Sequence, residues 1–409
     1  MIFSKNSSVS IANLASTDVL HASMIFGLIV PQFLSAFYDR AVKVRTNNGT
    51  IWVSLNDSNL KKFVLTILLV LIAVNLSSAL LENFTTRKTS LFSIRVVATV
   101  AVIYILLNYR LTSSGWELHQ VFAAIVFWLY FIVSDFKSVS TWLVKYLRLI
   151  IVSAFALNLL FSLFLPIRGT NPCRSDKCGI FGNLWMGFFP HENAFAFFVL
   201  ASATLKFIFF RKWSQNLFLI FCLILILATG SRMALLGLVI LGLCSFINDA
   251  LLSLLPLFLA LIGIALFIVN TSTQFMTGRG AIWNRIKSQL DSTSWIYGQG
   301  LSSFQTGKSK ELFGFALYDE QGTLASQFNR YGIVGVLIFL AFLFAYFICR
   351  NETSRTGKTM LAVLSFAMIT ESFAMPSVSN FYCFLYFFAV CVPELEKKRI
   401  VGDSIQVYR

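Results

Sequence analysis

The chain has 409 residues, of which 57% are hydrophobic and only 12% are charged. Soluble domains carry about 25% charged residues, so this composition excludes an ordinary soluble enzyme and predicts a protein of the lipid bilayer. The formal net charge of +15 would suggest nucleic-acid binding in a soluble protein. Here we interpret it as basic cytoplasmic loops that face anionic membrane lipid, and we expect no nucleic acid as a partner.

Apolar stretches long enough to cross about 30 Å of hydrocarbon, roughly 20 residues each, recur along the whole chain. They lie near residues 19–38, 63–82, 90–108, 116–134, 146–166, 193–210, 215–230, 232–248, 250–270, 331–349, 359–375 and 377–392. No internal repeat and no Gly/Ser or Pro linker separates them. The sequence therefore predicts an all-α fold, a polytopic integral membrane helical bundle of about 12 transmembrane helices, as a single domain over residues 1–409.

Lysine and arginine, which are enriched in cytoplasmic loops, give the orientation of these spans. Basic residues cluster in four places that a single topology makes cytoplasmic, namely 137–148, 206–212, 350–358 and 397–399. The segments 167–192 and 271–330 then lie outside, and 271–330 is predicted to be a long extracytoplasmic loop. The basic segment 39–62 disagrees with this topology. We therefore assign the topology only for the chain after residue 136. The predicted location is the inner membrane, with the active site facing the periplasm.

Two cysteines, Cys173 and Cys178, lie close together in the outside segment PCRSDKC. An oxidising compartment favours a disulfide between them, and two free thiols are the alternative. The C-x4-C spacing without a nearby histidine is poor for zinc, and the chain has only three histidines. We therefore predict no metal site and no cofactor.

Arginines on the outer side depart from the enrichment of basic residues in cytoplasmic loops, so they are candidates for ligand binding. Arg232 stands at the head of a predicted span, and Arg279 and Arg285 lie in the long outer segment. An arginine at a membrane boundary can simply extend its charge toward water. Its rigid fork of donors also suits pyrophosphate oxygens, so two arginines at the outer leaflet would suit a lipid-linked pyrophosphate.

Four segments of the second half resemble, in order, the motifs of the O-antigen ligase/polymerase superfamily. GNLWMGFFPHENAFAFFVLAS is similar to its G-x-F-x-H-x-N-x-x-A stretch, and ATGSRMALLGLVI to its S-R-x-x-L element. The third segment, MTGRGAIWNRI followed by WIYGQGL, resembles its G-R-x-x-x-W and G-x-G elements. EQGTLASQFNRYGIVGVLIFL resembles the element that closes the long outer loop, so the resemblance covers roughly residues 180–392.

This resemblance implies a metal-independent glycan transferase that uses donors linked to polyprenyl pyrophosphate. Arg232 and Arg279 fall on the two family arginines that hold the pyrophosphate. His191 and Asn193 fall on the H-x-N positions and would contact substrate. Two plainer interpretations stay open, in which His191 is an interfacial residue bonded to backbone and Asn193 caps the helix that starts there.

The end of the outer segment favours a polymerase over a ligase. Ligases of the family carry a His–Asn pair before the G-I-x-G that opens the next span, and here that place holds Gln321 and Gly322. Polymerases more often have an acidic residue followed by x-G-x-L, which Glu320 and the four residues after it match. Glu320 is the expected general base, with Asp319 as its alternative. Arg285, Asp319 and Gln321 are further expected substrate contacts.

The expected reaction is attack of an acceptor sugar hydroxyl on the donor's anomeric carbon, with polyprenyl pyrophosphate as the leaving group. The expected partners are the lipid-linked glycan, membrane lipid and a chain-length regulator protein. A secondary transporter or flippase is the rival from another class. It would show internal repeats, or broken helices with polar groups at the membrane midplane.

Overall fold

The structure is a computed structural model. It describes residues 20–24, 41–46, 49–54, 66–67, 70–73, 92–111, 118–134, 141–164, 169–174, 177–189, 192–206, 212–272, 275–299, 323–349 and 354–370.

Helices account for most of the described chain, as the apolar runs predict. They are α1 Phe92–Leu111, α2 Leu118–Val133, α3 Thr141–Phe164, α4 Glu192–Thr204, α5 Lys212–Thr229, α6 Arg232–Leu243, α7 Asp249–Val269, α8 Phe275–Gln289, α9 Ser292–Tyr297, α10 Thr323–Ile348 and α11 Arg355–Thr370. Two short antiparallel hairpins, which the all-α prediction did not include, accompany them. In the first, β1 Ala41–Thr46 pairs with β2 Gly49–Ser54, and in the second, β3 Thr170–Pro172 pairs with β4 Asn183–Trp185.

Three helical segments are long and apolar enough to cross a membrane, namely Tyr146–Phe164, Asp249–Val269 and Leu324–Ile348. Shorter apolar helices lie at Ser93–Asn108, Ala124–Val133, Ser214–Thr229 and Arg232–Leu243. The predicted spans near 19–38 and 63–82 fall mostly outside the described residues, and the span near 377–392 falls there entirely. The membrane-protein prediction is thereby supported, and the count of about 12 spans stays a prediction.

The bundle has two ends that differ in their polar contacts. At one end, which we call the Arg355 end, Arg355 donates hydrogen bonds to three backbone oxygens of the α6–α7 turn, those of Cys244 (3.0 Å), Ser245 (3.1 Å) and Ile247 (2.6 Å). At the opposite end α3, α5 and α7 end, while α4 and α6 begin. We call it the hairpin end because β3 and β4 lie there.

Aromatic ring contacts, edge-to-face or tilted, join helices that are distant in sequence. Trp128 and Phe131 of α2 both pack against Phe342 of α10, with ring centroids 5.3 Å and 5.4 Å apart. Phe155 of α3 packs against Phe198 of α4 at 5.1 Å. These side chains have no polar atom that needs a partner, so they fill the bundle while adding favourable ring contacts. These phenylalanines therefore serve packing between helices.

The predicted outer loop 271–330 contains helices where the structure describes it. The amphipathic helix α8 buries Ile282, Trp283 and Ile286 against Phe267 of α7 and Phe328 of α10. The described part of this segment is thus packed onto the hairpin end of the bundle. Residues 300–322 lie outside the described residues.

Gly332 breaks α10 after its first turns. Its backbone angles, φ 63° and ψ −164°, lie in a region that essentially only glycine adopts. A break leaves helix carbonyls without their usual donors, and neighbouring elements supply them. The backbone N–H of Gln299 donates to Asn329 O (2.7 Å), and the hydroxyl of Tyr104 donates to Tyr331 O (2.6 Å). These bonds tie α1 and the segment after α9 to α10 at the hairpin end.

We expect Gly332→Ala to lower the free energy of unfolding by about 1–3 kcal/mol, the usual effect of such a strained backbone. An added Cβ would also overlap the backbone oxygen of Ile296. The measurement is the thermal midpoint of the purified protein in detergent. Gly242→Ala is the matched control, because Gly242 lies in α6 with open space around it and alanine favours a helix. Equal thermal midpoints for the two variants would contradict the conclusion that α10 requires glycine at its break.

Candidate functional site

A disulfide between Cys173 and Cys178, the two cysteines that the sequence pairs, closes a short turn that follows β3. Within this turn Arg174 and Lys177 exchange backbone hydrogen bonds, with N···O distances of 2.8 Å and 3.2 Å. The turn therefore holds two cationic residues side by side. We call residues 169–189 the outer hairpin.

The outer hairpin is seated on the turn between α5 and α6. The backbone N–H of Ile180 donates to the oxygen of Leu227 (3.3 Å). Gly179 lies so close to the oxygen of Ala228 that any Cβ there would overlap it. Gly230, in the turn itself, faces the backbone of Cys178. The disulfide-closed turn is thus in contact with the chain that leads directly into α6.

The last part of the outer hairpin enters the bundle. The backbone N–H of Phe188 donates to Oδ1 of Asn158 (3.0 Å), and that of Met186 to the oxygen of Gly169 (2.9 Å). Asn158 lies six residues before the end of α3 at Phe164, or about 9 Å inside that end. Non-helical backbone is tolerated at membrane depth only where protein satisfies it. Asn158 and Gly169 supply those partners, so α4 starts inside the bundle.

A fully buried carboxylate, Glu192, begins α4. Its Oε1 accepts hydrogen bonds from Arg174 and from Nζ of Lys177 (3.0 Å), and its Oε2 accepts from Nδ2 of Asn171 (3.2 Å). Nζ of Lys177 also donates to Oδ1 of Asn193 (2.7 Å). A buried carboxylate is costly unless it is paired and hydrogen-bonded. The outer hairpin and the first turn of α4 therefore form one ion-paired unit, which we call the Glu192 cluster.

Two helices, α4 and α6, start side by side at this end and run in the same direction. Leu200 of α4 packs against Gly237 of α6. Leu200 lies eight residues after Glu192, and Gly237 five residues after Arg232, so the two helix starts differ in height by only about 5 Å. Helix N-termini carry partial positive charge. Together with the two cations of the outer hairpin and the exposed Arg232, they make this end favourable for an anion.

The predicted site residues that the structure describes fall into three groups. Asn193 joins the Glu192 cluster; it is the second residue of α4, inside the helix and not at its cap. Arg232 is the first residue of α6, directly after the cap Ser231, whose side chain accepts from the backbone N–H of Ala234 (3.4 Å). The predicted residues of α8 are Arg279, whose side chain lies outside the described part, and the half-buried Arg285. The predicted residues that lie outside the described chain are His191, Asp319, Glu320 and Gln321.

Helix α8 lies at the hairpin end against α7 and α10. Lys287 donates to the backbone oxygen of Ile268 (3.4 Å) and to that of Asn270, so it caps the end of α7. Burial lowers the pKa of this lysine. Trp283 is almost completely buried against Phe267, which makes it a packing residue. Arg232 and the arginines of α8 therefore lie at the same end of the bundle but on different helices.

Sequence reasoning missed the centre of the Glu192 cluster. Glu192 stands between the two residues that the H-x-N motif singles out, and Arg174 and Lys177 stand between the two cysteines. Their positions were visible, but nothing in the sequence links the two segments. No group of three or more histidine, cysteine, aspartate or glutamate side chains that could hold a metal ion is found among the described residues.

Comparison with models of known protein families, with curated proteins and with solved structures finds no match for this chain. The family resemblance of the four motifs therefore stays a prediction, and function has to be argued from the site.

Proposed function

We propose that this protein is a surface-polysaccharide polymerase of the O-antigen type. It transfers a glycan carried on polyprenyl pyrophosphate to a hydroxyl of an acceptor sugar, at the periplasmic face of the inner membrane. In this proposal the hairpin end is the periplasmic end, and the Arg355 end is cytoplasmic. The ion-paired outer hairpin and its disulfide fit an oxidising compartment.

The observation that supports the proposal is the concentration of positive charge around the head of α6. Arg232 is exposed there, the N-termini of α4 and α6 lie side by side, and among the described residues of the Glu192 cluster two cations, Arg174 and Lys177, face one carboxylate. Helix N-termini and arginine forks are common phosphate-binding elements. This end of the bundle therefore suits a pyrophosphate group.

The face of α6 below Arg232 suits the lipid part of such a donor. Leu236, Val239 and Leu243 are half or more exposed, with 50%, 54% and 56% of their surface accessible. They follow Arg232 at helical spacing, so the cation and the apolar side chains share one face of the helix. A polyprenyl chain can lie along this stripe in the bilayer while its pyrophosphate reaches Arg232.

The mechanism proposed is direct displacement at the anomeric carbon of the donor glycan. The acceptor hydroxyl forms the new C–O bond, the bond to the pyrophosphate oxygen breaks, and polyprenyl pyrophosphate leaves. Arg232 and Arg279 stabilise the charge that develops on this leaving group. Glu320, or Asp319 in its place, takes the hydroxyl proton. Asn193, His191, Arg285 and Gln321 are proposed to contact the substrates.

Transport is the second candidate, because one structural feature favours it. The broken helix α10 carries buried polar side chains just before its break, namely Ser326, Gln327 and Asn329. Broken helices with polar groups are typical of secondary transporters. The break lies at the hairpin end, however, where the capping bonds to Tyr104 and Gln299 give it a structural role.

Purified protein in detergent should extend a synthetic polyprenyl-pyrophosphoryl repeat unit into a polymer ladder. Neither an ion gradient nor a metal is required, so EDTA should leave the rate unchanged. Gel analysis of the products measures the extension. A requirement for sealed vesicles and a gradient would instead establish transport.

Polymerase and ligase are separated by the lipopolysaccharide of a deletion strain. Loss of a polymerase leaves core that carries a single repeat unit, whereas loss of a ligase leaves bare core and lipid-linked polymer. A chain-length regulator is the expected protein partner of the polymerase only.

A further inference from the structure

We infer that Lys177 is a positioning residue for the donor site, because it ties the disulfide-closed turn to Asn193 at the start of α4. This inference rests on the proposed function and adds to it a residue that the motifs do not contain. The contacts that carry it are the two hydrogen bonds from Nζ of Lys177, to Glu192 at 3.0 Å and to Asn193 at 2.7 Å.

Lys177 contacts more than the carboxylate of Glu192. Glu192 is a fully buried carboxylate. Arg174 and Lys177 both contact the same oxygen of it, Oε1. Asn171 satisfies the second carboxylate oxygen. Among the described residues, two cations therefore face this one carboxylate. Lys177 differs from Arg174 in that it also donates directly to the neighbouring Asn193.

The bond fixes the carboxamide of Asn193. Lysine has only donors, so the atom of Asn193 that faces Lys177 is the acceptor Oδ1. This sets which edge of the carboxamide is turned toward the outer hairpin. Because α4 starts beside α6, the orientation of Asn193 is set at the same level of the bundle as Arg232.

The outer hairpin holds Lys177 in place from both sides. Its backbone pairs with Arg174, the disulfide closes the turn around both residues, and the next residues are seated on the α5–α6 turn. Only 12% of the Lys177 side chain is exposed. A lysine held in this way loses little additional conformational freedom when it binds Asn193.

The test is a double-mutant cycle measured on donor extension in detergent. Lys177→Met should raise the KM for the synthetic polyprenyl-pyrophosphoryl repeat unit about 10-fold, the effect of one charge-assisted hydrogen bond. Lys177→Arg keeps the charge and the donors, so it should restore a KM close to that of the wild type. In an Asn193→Ala background, Lys177→Met should change KM less than about 2-fold, because the two residues act together. Arg148→Met, which removes an exposed charge from the other half of α3, is the control and should leave KM unchanged.

Hydrogen exchange gives a second measurement that needs no activity. Lys177→Met should speed amide exchange in the first turn of α4 while the disulfide stays intact by mass spectrometry. An active protein whose KM does not respond to Lys177→Met, or responds equally in the Asn193→Ala background, would overturn the positioning role alone. A wild-type protein that never extends the donor would refute the proposed function. The hydrogen-exchange result would then show by itself whether Lys177 holds the start of α4 through its bond to Asn193.

Discussion

Replacing Arg232 with lysine should reduce polymer formation by about 100- to 1000-fold, the usual effect of losing a charge contact in the transition state. Lysine keeps the positive charge but presents a single ammonium group instead of a rigid two-pronged donor. Arg232 is exposed and stands at the first position of α6, so the substitution removes little packing. Arg279→Lys should have a loss of the same order, because both arginines are proposed to hold the leaving pyrophosphate.

Chain extension in detergent, at matched protein level, measures this loss. Arg148→Lys is the matched control, since Arg148 is also an exposed arginine on a helix but lies toward the other end of α3. A residue that only extends its charge to the membrane surface would behave like this control, because lysine extends as well as arginine does. Near-normal extension by both lysine variants would return Arg232 and Arg279 to that structural role.

Helices α4 to α7, α10 and α11 could be predicted because each lies in an apolar run, and such a run has few alternatives to a buried helix. Helices α8 and α9 lie in the segment that was predicted as a loop, because neither forms such a run. The ends of α4 to α7, α10 and α11 were predicted less well. The run near 232–248 contains both α6 and the turn after it, and that turn is held by Arg355, which comes 111 residues after Cys244. The break at Gly332 was not predictable either, because it depends on contacts with the chain around α9.

The outer hairpin shows a different limit. β3 and β4 have three residues each, too few for a recognisable alternation of apolar and polar residues. The partners of Glu192 lie 15 and 18 residues earlier in the chain, and no helical or strand period links them. Sequence reasoning could therefore find the cysteines and the H-x-N motif separately, but only the fold shows that an ion cluster joins them.

Glu320→Gln should reduce the rate of chain extension by about 100- to 10,000-fold, the contribution usual for a general base. Glutamine has the shape of glutamate but cannot take the acceptor proton. Glu320 and Asp319 lie outside the described residues, three and four positions before Thr323, where α10 begins at the hairpin end. We expect a much smaller loss for Asp319→Asn, which tests the alternative base.

Initial rates at saturating donor and acceptor separate loss of proton transfer from loss of binding, because a missing base lowers kcat and leaves KM largely unchanged. A larger loss for Asp319→Asn than for Glu320→Gln would assign the base to Asp319. Full rates for both variants would show that neither carboxylate takes the proton. The acceptor hydroxyl would then have to lose its proton to another group after the C–O bond forms, and the arginine-held pyrophosphate would be the main source of catalysis.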